Sequence, residues 1–187
     1  MEYLDVVDEN GNPTGEVVSR DTAHRDGVLH RTAHVWVTRE YDGKIEILLQ
    51  KRSMSKESFP GLYDTSSAGH IPAGSEPLSS ALREMEEELG IHATEAQLSY
   101  AGIFRIQYEK VFHGKLFRDN EVTKVYVYRE PVESGNLSLQ RDEVDEVRWF
   151  SLDVVWDEIQ VSRERFCVPV QGLQLLKSFL ERENNHK

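Results

Sequence analysis

The spacing of apolar positions along the chain changes several times, and each change marks a new element. "YLDVV" and "GEVVSR" are short β-rich runs around "DENGNP", whose Asn, Gly and Pro compose a turn, so the first twenty residues predict a β-hairpin. Val28 to Thr38 carries a further apolar run through His34, Val35, Trp36 and Val37, and "IEILLQKR" follows after an Asp42-Gly43 turn that favours a second hairpin. "KESFPGLYDTSSAGH" reads as a loop and a short strand. At Pro77 the period becomes helical: Leu78, Ala81, Leu82, Met85 and Leu89 step by three and four. Pro77 suits a first turn and Gly90 suits a C-terminus, which predicts a helix at about Pro77 to Leu89. "AQLSYAGIFRIQYE", "NEVTKVYVYRE" and "DEVRWF" predict three more strands. A helix follows from Ser151-Leu152-Asp153, and a terminal helix presents Leu173, Leu176 and Leu180. Strands around one central helix with two helices at the end predict a layered α/β fold in one domain over residues 1–187, with residues 1–27 as a hairpin extension and the C-terminal helices over 152–187.

Composition narrows the class. With 39% apolar and 29% charged residues the chain fits a globular protein, and its length allows roughly two thirds of the unfolded surface to be buried. A net charge of -11, from 33 acidic and 22 basic residues, argues against nucleic acid or anionic membrane as partner and favours cations. No stretch approaches the roughly 18 apolar residues of a membrane helix, and the acidic N-terminus lacks the basic and apolar regions of a signal peptide. The single cysteine, Cys167, excludes an internal disulfide, and together these features lead us to expect a cytoplasmic protein; a homodimer is compatible with the sequence.

Charge density singles out the central helix. Glu84, Glu87 and Glu88 lie at i, i+3 and i+4 and project from one face, near a helix C-terminus where the macrodipole disfavours negative charge. An arbitrary run of glutamates is usually a solvated face. Here the set follows directly on a Gly-rich loop, and a hard divalent cation, Mg²⁺ or alternatively Mn²⁺, would relieve the repulsion while keeping sites for waters and substrate phosphates.

The stretch "GHIPAGSEPLSSALREMEEELGI" resembles the Nudix box, with Gly69 as its first glycine and Arg83, Glu84, Met85, Glu87, Glu88, Gly90 and Ile91 filling its second half. Ser75 stands where the box has its first glutamate, with Glu76 next to it, so which of the two serves that position is open. The resemblance implies a Nudix α/β/α sandwich with a mixed sheet and a metal-dependent hydrolase acting on a small-molecule diphosphate, nucleotide-derived in preference to isoprenoid. It implies Glu84, Glu87 and Glu88 as metal ligands and catalytic groups, and Gly69 as the residue that lets backbone approach the metal. Arg83 is implied to orient a glutamate and Gly90 to end the helix. Glu121 is the candidate additional acidic group or general base, with Glu143 as its competitor. Arg52, Lys51 and His70 are candidate substrate contacts, for which ordinary loop packing is the plain alternative.

Over about residues 3–150 the chain is also similar to type I isopentenyl-diphosphate isomerases and the Nudix hydrolases nearest them. In those isomerases two N-terminal histidines, the histidine of a G-H pair and two acidic residues bind a metal; the matching positions are His24, His30, His70, Asp119 and Glu121. By the residues alone, a histidine in such a stretch more often bonds a loop than a metal. The isomerase also needs a cysteine just before the G-H pair, and Ser66, Ser67 and Ala68 stand there instead. Hydrolase is therefore the expected activity, isomerase the alternative, and a non-catalytic ligand-sensing domain the third.

Overall fold

The computed structural model describes residues 1–185; the last two residues of the expected C-terminal region lie outside it. β1 (Tyr3–Val7) and β2 (Pro13–Ser19) form the N-terminal hairpin, and Ser19 caps α1 (Arg20–Asp26) by accepting the Thr22 N–H. β3 (His30–Tyr41) and β4 (Lys44–Arg52) turn over Asp42 and Gly43, both at positive φ (50° and 70°), the backbone that an Asp-Gly pair tolerates. Then come β5 (Tyr63–Asp64), β6 (Ser67–His70), α2 (Pro77–Leu89), β7 (Leu98–Phe112), β8 (Lys115–Tyr128), β9 (Val144–Ser151), α3 (Leu152–Val161) and α4 (Val170–Asn184).

The second sheet is mixed, as expected. Its main path runs β5-β4-β3-β8-β7, β6 also pairs with β3, and β9 with β4; the β3-β8 contact is parallel and the others antiparallel. Alternation along β3 sends Ala33, Val35 and Val37 to one face, where Ala81, Met85 and Leu89 of α2 cover them. Trp36 points to the other face and packs with Phe166, Leu173 and Leu176 at and beside α4. Strands buried on both faces read as continuous apolar runs, which is why Val35, Trp36 and Val37 of β3 show no polar alternation.

Two elements differ from the sequence expectation. Residues 20–26 form a helix where no apolar stripe announced one, because Ala23 and His24 are its only buried side chains. The β7-β8 ladder continues as far as Phe112↔Lys115, well past the β3-β8 pairing that starts at His30↔Glu121, so its outer half stands beyond the sheet as an arm. The sequence marks no limit between these halves because both alternate.

Candidate active site

One cleft of about 540 Å³ opens where the ends of β3, β6 and β8 meet the box helix. Glu84, Glu87, Glu88 and Gly69 line it, together with His24, His34, His70, Asp119 and Glu121. Arg20, Arg52 and Lys56 supply its cationic side chains. Phe59, Tyr108 and Phe117 form an aromatic wall in which Phe59 of the 53–61 loop meets the β7-β8 arm.

Gly69 and Glu84 fit together closely. A Cβ at position 69 would stand 2.2 Å from the Glu84 Cδ, so only glycine leaves room for that carboxylate. Arg83 donates to Glu84 Oε1 at 2.5 Å and lies 3.8 Å from Glu87. Glu88 is 4% exposed, and Gln50 and the Ala68 N–H both donate to its Oε2. Burial, reinforced by the Glu84 charge, pushes the Glu88 carboxyl up to about 8. Burial likewise raises Glu84. The three glutamates share a wall, but they do not form one of the compact ligand groups found among the described residues, whose donor atoms lie within 4.8 Å of one another. Gly90 ends α2 at φ 69° with its N–H on the Glu86 and Met85 carbonyls.

The compact groups are His24 with His30 and His70, and His30 with Asp119 and Glu121. Strand register assembles them. Parallel pairing sets His30 beside Glu121, antiparallel pairing sets Thr32 beside His70, and α1 lowers His24 onto the pair. His24 Nε2 lies 3.1 Å from His70 Nε2, His30 Nε2 lies 3.6 Å from Glu121, and His24 Nδ1 lies 3.7 Å from Asp119. Three buried atoms there, His24 Nδ1, His30 Nε2 and Asp119 Oδ1, have no hydrogen-bond partner. Two imidazole nitrogens meeting at hydrogen-bond distance, with orphaned donors around them, suit a cation ligand set. Burial lowers His24 to about 4 and holds His70 well below its ordinary value, so both are neutral and able to ligate near pH 7. Burial followed by the Glu121 charge raises Asp119. Burial opposes ionisation of Glu121 too, but His30 and His70 outweigh it and keep that carboxyl low.

Other expected residues fall into place unevenly. Arg52 and His70 line the cleft, but Lys51 does not, because strand alternation turns it to the face opposite Arg52. Ser75 and Glu76 face a separate groove with Asp5, Arg31 and Lys124, so neither lines the wall that holds the other box glutamates. Glu143 lines the cleft in an ion pair with Lys56. Arg20, Lys56, Tyr108 and Gln50 were not singled out in the sequence. The one local signal was His30, Thr32 and His34 at period two, which puts all three on one face of a strand.

The NUDIX domain family model matches residues 28–167. The chain belongs to the Nudix family. Nudix hydrolase 3 of Arabidopsis thaliana is 40% identical over 150 residues, 79% of this chain, which spans 19% of that plant protein. An uncharacterised Nudix hydrolase of Yersinia pestis is 32% identical over 185 residues, covering 98% of this chain and 88% of its own. Among solved structures, the Deinococcus radiodurans protein DR0079 superposes with a TM-score of 0.70 at 17% identity, covering 94% of this chain and 98% of that one, which shows the shared fold. Nudix hydrolases act with divalent metal ions, and among the described residues no helix is long and apolar enough to cross a membrane.

Proposed function

We propose that this Nudix hydrolase uses Mg²⁺, with Mn²⁺ as a substitute, to cleave the phosphoanhydride bond of a small-molecule diphosphate derivative, a nucleoside diphosphate derivative in preference to an isoprenoid one. The observation that carries this reading is that Glu84, Glu87 and Glu88 share one cleft with Arg52, Lys56 and Arg20, so carboxylates for cations and cations for phosphates face the same space. A bound divalent ion stabilises charge developing on phosphoryl oxygens and acidifies water. Glu84, Glu87 and Glu88 would hold it, and Gly69 keeps the approach to Glu84 clear. Arg52, fixed by Asp64 and the Ser58 carbonyl, would orient the diphosphate together with Lys56 and His70. Glu121 lines the cleft as the candidate proton acceptor, although the lowering of its carboxyl makes it a weak base; Glu143 is its competitor and must first part from Lys56. The same donor set lets His24, His30, His70, Asp119 and Glu121 hold a second cation.

That second group is also what favours isomerase as the alternative reading. The residue facing the same side as His70, two positions earlier, is Ala68, which has no proton to give. Ser66 is buried with its hydroxyl accepting from the Val37 N–H and donating to the Leu48 carbonyl, and Ser67 is buried on the α2 side of β6. The one thiol that lines the cleft, Cys167, sits outside β6 with its Sγ on the Tyr63 carbonyl, and burial pushes it well up, so it does not replace the proton donor missing at Ala68. The test is a hydrolysis screen with Mg²⁺ over nucleoside diphosphate derivatives, reading phosphate released from the products by added phosphatase, with isopentenyl diphosphate isomerisation assayed in parallel. Metal-dependent turnover of one such class supports the reading; isomerisation without hydrolysis would overturn it.

A further inference from the structure

Gln50 is 3% exposed and does not line the cleft, yet its side chain ends on a residue that does. Its backbone is fixed in mid-sheet, opposite Asp64 of β5 on one side and Val147 of β9 on the other. Its amide nitrogen donates to Glu88 Oε2 at 3.0 Å and to the Ser66 carbonyl at 3.3 Å. The Ser66 carbonyl can only accept, so the amide nitrogen must face it, and the same nitrogen then reaches Glu88 Oε2. The Ala68 N–H donates to the same Oε2 at 3.2 Å. The two donors thus anchor one oxygen of Glu88, and Oε1 receives no hydrogen bond from the described residues. Ser67, buried on the α2 side of β6, also faces this carboxyl, but its hydroxyl does not reach either oxygen with the geometry of the Gln50 and Ala68 bonds and acts on it only weakly.

We propose that Gln50 is a positioning residue for the metal site: by holding Glu88 Oε2 it presents Oε1 to the cleft and so sets the affinity of the box for its divalent cation. The inference rests on the reading of Glu88 as a metal ligand. The residue type fits the task. A lysine or arginine would neutralise Glu88 and compete with the cation, whereas an apolar side chain would leave the carboxylate on a single N–H and free to turn. Outer partners that orient a metal ligand govern affinity even though they never touch the ion.

The experiment measures Mn²⁺ binding to the full chain by electron paramagnetic resonance, with the metal-free melting temperature as a second reading. Glu88→Gln identifies the component of binding that belongs to the box. Gln50→Met, close in shape and without a donor, should weaken that component roughly ten- to a hundredfold and raise the Mg²⁺ needed for half-maximal hydrolysis by the same factor. The KM for substrate at saturating metal should hardly move. Leu48→Ala, on the same strand and the same face, should lower the melting temperature and leave Mn²⁺ affinity alone. Should Gln50→Met fail to fold, Gln50→Asn keeps the amide but withdraws it by one methylene from Glu88, and reads the same constant. If Glu88→Gln weakens Mn²⁺ binding and the Gln50 variant does not, the assignment of Gln50 is wrong and the reading of the box survives. If Glu88→Gln changes nothing, both fall. Loss of affinity in Leu48→Ala equal to that in the Gln50 variant would show general loosening and overturn the positioning role.

Discussion

At the scale of single residues, the box glutamates divide by burial. Glu88 is nearly enclosed and Glu87 is exposed, so their charges meet different surroundings although both line one cleft. Glu88→Gln keeps the shape and the Gln50 contact region but removes the charge, and should lower kcat by at least about a hundredfold, roughly 2.7 kcal/mol of barrier, with the circular dichroism spectrum unchanged. Retained activity would restore the solvated-face explanation of this helix. Gly69→Ala should behave like a metal-site variant, because the new methyl occupies the space of the Glu84 carboxyl; we expect a loss of turnover larger than any loss of melting temperature. The buried titratable groups add a pH signature. The unfolded chain ionises Glu88 near the ordinary 4.5, whereas the folded chain retains that proton up to about 8, so over this window the native state holds more protons and stability declines as pH rises. His24, lowered from 6.5 to about 4, acts oppositely and loses stability as pH falls below 6.5. Between pH 6.5 and 8 the histidine effect is over and the raised carboxyls act together, Glu88 held up to about 8 and Asp119 to about 9, each losing stability as pH rises. Metal-free protein should melt progressively lower across that interval in differential scanning calorimetry, and a divalent cation should flatten the slope.

At the scale of elements, α2 carries two opposed demands. Ala81, Met85 and Leu89 dock it on the sheet, while Glu84, Glu87 and Glu88 crowd charge near its C-terminal end, where no basic side chain occupies the last turn. A cation bound only by the folded helix must then stabilise the whole chain. With metal at about a hundred times its dissociation constant the gain is about 2.7 kcal/mol, so millimolar Mg²⁺ or Mn²⁺ should raise the melting temperature by several degrees. A melting curve that ignores the metal would count against the site. The bounds of α2 were legible in the sequence because proline, glycine and a single apolar stripe all agreed. The helix α1 was not, since a seven-residue helix with one capping serine has too little stripe to betray itself.

At the scale of the whole molecule, the cleft is built by parts far apart in the chain: α1, the start of β3, β6, α2, the start of the β8 pairing and the loop around Glu143. Isomerase chemistry would need a proton donor at the β6 position that Ala68 occupies. Purified wild-type protein should therefore show no interconversion of isopentenyl and dimethylallyl diphosphates above a heat-killed control. Ser67→Ala should leave hydrolysis within about tenfold of wild type. Ser66→Ala should cost stability, on the order of 1–3 kcal/mol, since it strips partners from the Val37 N–H and the Leu48 carbonyl, but not turnover per folded molecule. Detectable isomerisation would overturn this ranking.

The sequence by itself determined the layered fold and the box helix, because these depend on local periodicity and on residues within one or two turns of each other. Only the tertiary structure decided that His24, His30, His70, Asp119 and Glu121 meet, since a parallel register and an antiparallel one must hold at once to bring them together. It also decided that Lys51 and Ser75 stand away from the cleft and that Gln50, which follows the apolar run Ile47 to Leu49, directs its amide to Glu88. The physical reason is the same in each case. A strand's alternation fixes which residues share a face, but the pairing of strands distant in sequence fixes what that face meets.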